Sequence, residues 1–162
     1  MLSLNETHHI LCGGSESVEI NNNDKTNDTF SSKTYLFSNN TFTQVASMNI
    51  ARRSHGCALA DQKVWIAGGW NGEKRLSSVE YFSLSTQTWH RGPSLPIPTT
   101  YAVLTALQGD LFFLGGKESK AIFCLKISSA KHVRDLRWER VGTLEMNKQL
   151  FAALQWEKKT CY

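Results

Sequence analysis

This sequence predicts an all-β fold assembled from repeated four-stranded antiparallel units, and three observations carry that prediction. The first is an apolar run ending in Gly-Gly that occurs three times: His8-His9-Ile10-Leu11-Cys12-Gly13-Gly14, Lys63-Val64-Trp65-Ile66-Ala67-Gly68-Gly69 and Asp110-Leu111-Phe112-Phe113-Leu114-Gly115-Gly116. The pairs recur after 55 and then 47 residues, a period that marks a repeat architecture. The second is an aromatic landmark at Phe42, Trp89 and Trp138, spaced by 47 and 49 residues. The third is the short strand patterns that fill the intervals, rich in β-branched and aromatic residues and bounded by turn residues.

Taken in chain order, each unit has the same grammar. A small-residue strand comes first, as in His55-Gly56-Cys57-Ala58-Leu59-Ala60 and Tyr101-Ala102-Val103-Leu104-Thr105-Ala106. The Gly-Gly strand follows, and its glycines (Gly13 and Gly14, Gly68 and Gly69, Gly115 and Gly116) tolerate positive φ and close backbone approach. A third strand reads Thr34-Tyr35-Leu36-Phe37, Ser78-Val79-Glu80-Tyr81-Phe82-Ser83-Leu84 or Ala121-Ile122-Phe123-Cys124-Leu125. The fourth carries Phe42, Trp89 or Trp138. Four short strands in about 50 residues is the pattern of a propeller blade.

The blades are placed at about 1–47, 48–98 and 99–147, with an incomplete fourth at 148–162. In the first, Met1 to Leu4 supplies a short opening strand, and a polar excursion from Ser15 to Ser32 is expected to be a mobile loop on one face. The second closes at Pro93, Pro96 and Pro98. The third carries a long basic loop, Ser128 to Arg137, before its last strand. Met146-Asn147 then repeats Met48-Asn49; Phe151-Ala152-Ala153-Leu154 matches a first strand and Lys159-Thr160-Cys161-Tyr162 the start of a second. About three and a third blades do not close a ring, since propellers take about four to eight. The expectation is a piece of a larger ring of about six blades, or a chain completed by self-association through open blade faces.

The second unit resembles the kelch repeats almost end to end. It reads Arg53-Ser54-His55-Gly56, then Val64-Trp65-Ile66-Ala67-Gly68-Gly69-Trp70-Asn71-Gly72, then Leu76-Ser77-Ser78-Val79-Glu80-Tyr81-Phe82, then Thr88-Trp89. It is similar to the propellers of BTB-kelch adaptors, with an aromatic and an Asn-Gly turn after Gly-Gly and a Tyr…Trp pair beyond. The third unit departs from this: Pro98-Thr99-Thr100 stands where the basic residues would be, and Lys117-Glu118-Ser119 replaces the aromatic turn. The first has Phe42 for Trp and a long insertion.

Bulk properties narrow the function. No apolar run approaches the roughly 18 residues of a membrane span, and the first seven residues lack the basic and apolar parts of a signal peptide. A net charge of +4 spread over scattered Lys and Arg does not form a stripe with stacking aromatics, which argues against nucleic acid. Cys12, Cys57, Cys124 and Cys161 have no metal-site spacing, and the first three fall in strand patterns where small apolar residues belong. Asn5, Asn27 and Asn39 match the glycosylation pattern by chance in an Asn- and Thr-rich chain. These features place the chain in the cytoplasm. No His, Ser or Asp falls in a catalytic motif, and no helix follows the Gly-Gly pairs to make a phosphate loop, so no catalytic, cofactor-binding or metal residue is assigned.

The resemblance implies a non-catalytic protein–protein interaction module: substrate recognition for a cullin-type ubiquitin ligase, or actin-associated scaffolding. The alternative is a fragment of an enzymatic or extracellular propeller, oxidase-like or sugar-processing. For the interaction reading, the resemblance to kelch propellers implies that the loops linking second to third strands, and last to first, hold partner peptides. Here those positions are Met48 to Arg53, with Arg52 and Arg53 the leading candidates, and Asn71, Gly72, Glu73, Lys74 and Arg75, with Lys117-Glu118-Ser119-Lys120 a secondary set. An arginine fork would clamp an acidic partner. The competing structural reading has the arginines covering strand ends and meeting only water. Trp65, Trp89, Trp138 and the Tyr35/Tyr81 pair are read as blade packing.

Overall fold

The computed structural model describes residues 1–18 and 27–145, and the fourth-unit segment 148–162 lies outside them. The described strands form three four-stranded antiparallel sheets and a two-stranded ribbon. The first orders β1 (Leu2–Ser3), β2 (His9–Cys12), β5 (Thr34–Ser38) and β6 (Thr41–Val45). The second is β7 (Gly56–Ala60), β8 (Lys63–Ala67), β9 (Val79–Ser83) and β10 (Thr88–Arg91). The third is β11 (Val103–Leu107), β12 (Asp110–Leu114), β13 (Ala121–Leu125) and β14 (Trp138–Thr143). This all-β arrangement of four-stranded antiparallel blades is a partial propeller. Within each sheet spatial order follows chain order, each strand pairing antiparallel with the next strand of its own sheet.

One part of the first unit differs from the sequence expectation. The ends of its polar excursion pair with each other as β3 (Ser15–Val18) and β4 (Asn27–Phe30), a separate two-stranded ribbon. Backbone pairing does not need apolar side chains, which is why a polar sequence concealed it. The loop at 128–137 contains a 3-10 turn, Val133–Asp135, and tucks Leu136 into the interior.

The second sheet is the middle layer, and β8 shows why its sequence is apolar without alternation. Val64 joins Ile10 and Phe82 in a cluster facing the first sheet, together with Leu2, Leu36 and Val45. Trp65 and Ala67 face the other way, into a cluster with Leu104, Leu111, Phe113, Phe123 and Leu125 of the third sheet. A strand covered on both faces has no side to leave polar. β7 touches β1 on one side and β11 on the other. Gly56 permits the second of these contacts, since a Cβ there would lie 2.8 Å from Leu104 Cβ.

The Gly-Gly pairs repeat one backbone conformation, with φ of 65 and 111° at Gly13 and Gly14, 68 and 101° at Gly68 and Gly69, and 65 and 103° at Gly115 and Gly116. They receive the segment that leads into the next sheet. Gly14 N donates to Arg52 O at 2.9 Å, and Gly69 N donates to Thr99 O at 2.9 Å. The fourth-strand aromatics lock the sheets from the other side. Trp89 Nε1 donates to Ala46 O at 2.9 Å and Trp138 Nε1 to Pro93 O at 2.8 Å, each reaching just beyond the last strand of the preceding sheet. Tyr81 packs on Trp65 with ring centroids 4.8 Å apart.

Candidate loop face between the sheets

The sequence-assigned residues divide into a buried set and a surface set. Arg52 belongs to the first, which corrects its assignment to partner binding. It is 0% exposed, and all five of its N–H donors are engaged. Nη1 donates to Gly68 O at 2.9 Å and Ser78 O at 3.0 Å; Nη2 donates to Ser78 Oγ at 3.0 Å and Glu80 Oε1 at 2.6 Å; Nε donates to Ile50 O at 3.4 Å. Glu80, 1% exposed, is equally saturated. Its Oε2 accepts from Asn49 N at 2.7 Å and Asn49 Nδ2 at 2.6 Å, and Oε1 also accepts from Ile50 N at 3.2 Å. Burial pushes the Arg52 pKa down and the Glu80 carboxylate pushes it back up. Neither partner binding nor water contact describes Arg52; it fastens the connection at 49–52 to the ends of β8 and β9.

Position by position, the third unit places Thr99 and Phe123 where the second has Arg52 and Glu80, as the Gly-Gly spacing and the registers Ile66↔Glu80 and Phe113↔Phe123 establish. The ion pair is therefore a device of the second unit, replaced in the third by an apolar side chain.

The surface set gathers on one side of the second sheet. Arg53 is half-buried, its backbone bridged to Trp70 (Arg53 N to Trp70 O 3.0 Å, Trp70 N to Arg53 O 2.9 Å), and its guanidinium carbon sits 5.1 Å from the centroid of the Phe30 ring. Asn71 caps its own turn: Oδ1 accepts from Glu73 N at 3.1 Å and Lys74 N at 2.9 Å, leaving Glu73 and Lys74 exposed at the tip. Arg75 makes a two-point contact with Glu118 of the third unit, Nη1 to Oε2 at 2.8 Å and Nη2 to Oε1 at 3.0 Å. That hydrogen-bonded pair raises the Arg75 pKa and lowers that of Glu118.

Glu118 stands in the Lys117-Glu118-Ser119-Lys120 turn, the third-unit loop among the sequence candidates, and one further residue of this face escaped the sequence reading. Phe30 ends β4 of the insertion, and nothing in its polar neighbourhood marked it. It lies against Gly72, where φ is +100° and a Cβ would come 2.9 Å from Phe30 Cε2. Three units thus contribute to one face: Phe30 from the first, Arg53 and residues 70–75 from the second, Glu118 from the third.

Among the described residues no cluster of three or more His, Cys, Asp or Glu could hold a metal ion, and no helix is long and apolar enough to cross a membrane. The three described cysteines are unbonded thiols. Burial, with a contribution from Cys57, pushes the Cys12 thiol up to about 12, the state of a packing residue rather than a nucleophile.

A family model described as the Kelch motif matches residues 51–96, the second unit. Over 84 residues, 51% of its length, the chain is 32% identical to Kelch-like protein 35 of Homo sapiens, of which the match covers 14%. It is 30% identical over 86 residues to Beta-scruin of Limulus polyphemus, covering 52% of this chain and 9% of that one. Against an F-box/kelch-repeat protein of Arabidopsis thaliana it is 27% identical over 128 residues, 73% of this chain and 34% of the relative. The chain therefore spans only a minor part of these relatives' lengths.

Proposed function

Since this chain belongs to the kelch-repeat family, we propose that it is a non-catalytic protein–protein interaction module that holds a peptide segment of its partner on the loop face. The observation that carries this reading is the convergence of loops from all three units, with Arg53 and Arg75 at the centre and Lys74 at the rim. Cationic side chains fixed by their neighbours favour an acidic partner. Substrate recognition for a cullin-type ubiquitin ligase and actin-associated scaffolding are the two settings that the adaptor resemblance favours, in the cytoplasm. Actin co-sedimentation separates them: pelleting with filaments supports scaffolding, and its absence favours the ligase setting.

A dodecapeptide phage-display selection on the purified chain tests the loop-face reading. Selected peptides should lose binding when Arg53→Ala or Arg75→Ala is introduced. Peptides that bind both variants as they bind the parent would place recognition elsewhere.

Self-association is a second, separate proposal. It is supported by exposed apolar side chains on strands of the first and third sheets: Phe42 is 55% exposed, Val141 51% and Leu107 47%. Light scattering after size exclusion measures it directly, and a monomer at high concentration would end it.

A further inference from the structure

The basic loop of the third unit takes no part in the loop face. It joins β13 to β14, whereas Glu118 stands between β12 and β13, so in an antiparallel sheet the two connections emerge at opposite strand ends. The loop is anchored on the core. Ile127 and Leu136 are buried in the cluster shared with the second sheet, and Ser128 N donates to Asp110 Oδ1 at 2.9 Å. Between these anchors lies a cavity of about 500 Å³, with Lys126, Ser129, Lys131, Asp135, Arg137 and Glu139 around apolar Ala130 and Leu136. A smaller hollow of about 110 Å³ shares Ala130, Lys131 and Leu136 and continues to Lys63 and Trp65 of the second sheet.

The charges of this lining do not cancel. Glu139 pairs with Lys126 at 3.3 Å and Asp135 with Arg134 at 3.9 Å, so each acid has its own cation. Lys131 and Arg137 have no acidic partner among the described residues. Arg137 is nevertheless held in place. Its Nη1 donates to Arg134 O at 2.8 Å and Leu136 O at 2.7 Å, which leaves Nη2 and Nε without a hydrogen bond among the described residues. Two cations in excess, one of them a guanidinium tied to the backbone, therefore line a space that also carries the Ser129 hydroxyl.

We propose that this cavity binds a phosphate monoester through Arg137, Lys131 and Ser129, with the organic part of the ligand beside Ala130 and Leu136. A phosphate monoester carries a charge of about −1.5 to −2 at neutral pH and three strong acceptor oxygens, which matches two unpaired cations and a hydroxyl. A carboxylate has a single charge and would leave one cation unmatched. The cavity falls within the usual range of small-ligand sites, about 300–1,000 Å³, so it has room for the group that bears the phosphate. The site stands apart from the loop face and does not depend on that reading.

The isotope-labelled chain is titrated at constant ionic strength with four probes: acetyl-Gly-phosphoserine-Gly-amide, its unphosphorylated counterpart, glucose 6-phosphate and sodium sulfate. Amide shifts report the site. Saturable shifts confined to residues 126–139 are expected with at least one phosphate ester, and none with the unphosphorylated peptide. Response to the peptide alone identifies a phosphorylated protein segment as the source of the ligand, and response to the sugar phosphate alone a phosphorylated metabolite; either supports the proposal. Affinity should fall about tenfold in Lys131→Gln and in Arg137→Gln. It should be unchanged in Lys117→Gln, which removes a cation at the opposite strand ends. The urea midpoint of Lys131→Gln should equal that of wild type, because the Lys131 side chain is exposed and makes no bond among the described residues.

Absence of a saturable shift with both esters would overturn the proposal. So would a response to sulfate as strong as that to the esters, which would reduce the cavity to an unspecific cationic patch. Wild-type affinity in both Lys131→Gln and Arg137→Gln would overturn it as well, since no other unmatched cation lines the cavity.

Discussion

Replacing Glu80 by Gln perturbs a buried, fully engaged carboxylate while changing its shape hardly at all. The carboxylate fills four acceptor sites: two from Asn49, one from Ile50 N and one from Arg52, between 2.6 and 3.2 Å. A glutamine offers one acceptor oxygen and turns an NH2 group toward two of these donors. Leaving a buried donor unsatisfied costs about 1–3 kcal/mol. Removing the counter-charge of a buried guanidinium brings the total to about 3–5 kcal/mol. With an ordinary urea dependence of about 2 kcal/mol per molar, the unfolding midpoint should fall by about 2 M. Tryptophan fluorescence reads the transition. Glu118→Gln is the control, because its pair with Arg75 is exposed and its removal should leave the midpoint in place. A shift below about 0.5 M for Glu80→Gln would refute the argument that the second unit depends on this pair. The double variant Arg52→Met with Glu80→Leu should lose less than the two single changes added together. It should not reach wild-type stability, because Asn49 N and Ile50 N would still lack an acceptor.

Other consequences follow from the contacts between sheets. His55 lies between Gly13 and Gly69 with Nδ1 buried and unpartnered, and burial, reinforced by Arg52, holds its pKa down at about 4. The unfolded chain therefore takes up this proton first. Stability should be intact above about pH 6.5 and decline as the pH falls toward 4, by up to about 3 kcal/mol; a His55→Gln variant with the same urea midpoint slope across that window would contradict this. Trp89→Ala should cost about 3–5 kcal/mol through lost packing on Phe82 and the lost Ala46 bond, and Trp89→Phe about 1 kcal/mol for the bond alone; an unchanged calorimetric transition for Trp89→Ala would show that the residue is peripheral. Gly56→Ala should cost about 1–3 kcal/mol by pushing β7 from Leu104, and equal stability to wild type in thermal melts would mean the second and third sheets approach less closely than described.

The Gly-Gly spacing, the recurring aromatics and the small-residue strands were enough to specify an all-β repeat, because each reports a local requirement. Positive φ, close backbone approach and a two-residue side-chain period are visible in any single unit. The packing role of Trp89 and Trp138 was legible for the same reason: their period equals that of the sheets they join. What the residue pattern could not determine is which polar groups face one another across units. Arg52 and Arg53 are adjacent in sequence and equally basic, yet the connection between the first two sheets sends one into a saturated buried network and leaves the other over an aromatic ring. Glu80 is read as one polar position in a β strand until the connection at 49–52 folds over it. Phe30 sits in a polar insertion 42 residues before Gly72, and only tertiary packing sets it against that loop and against Arg53. Secondary structure in this chain is written in nearest neighbours and period, whereas the loop face is made by contacts among three units, and no single stretch of sequence contains them.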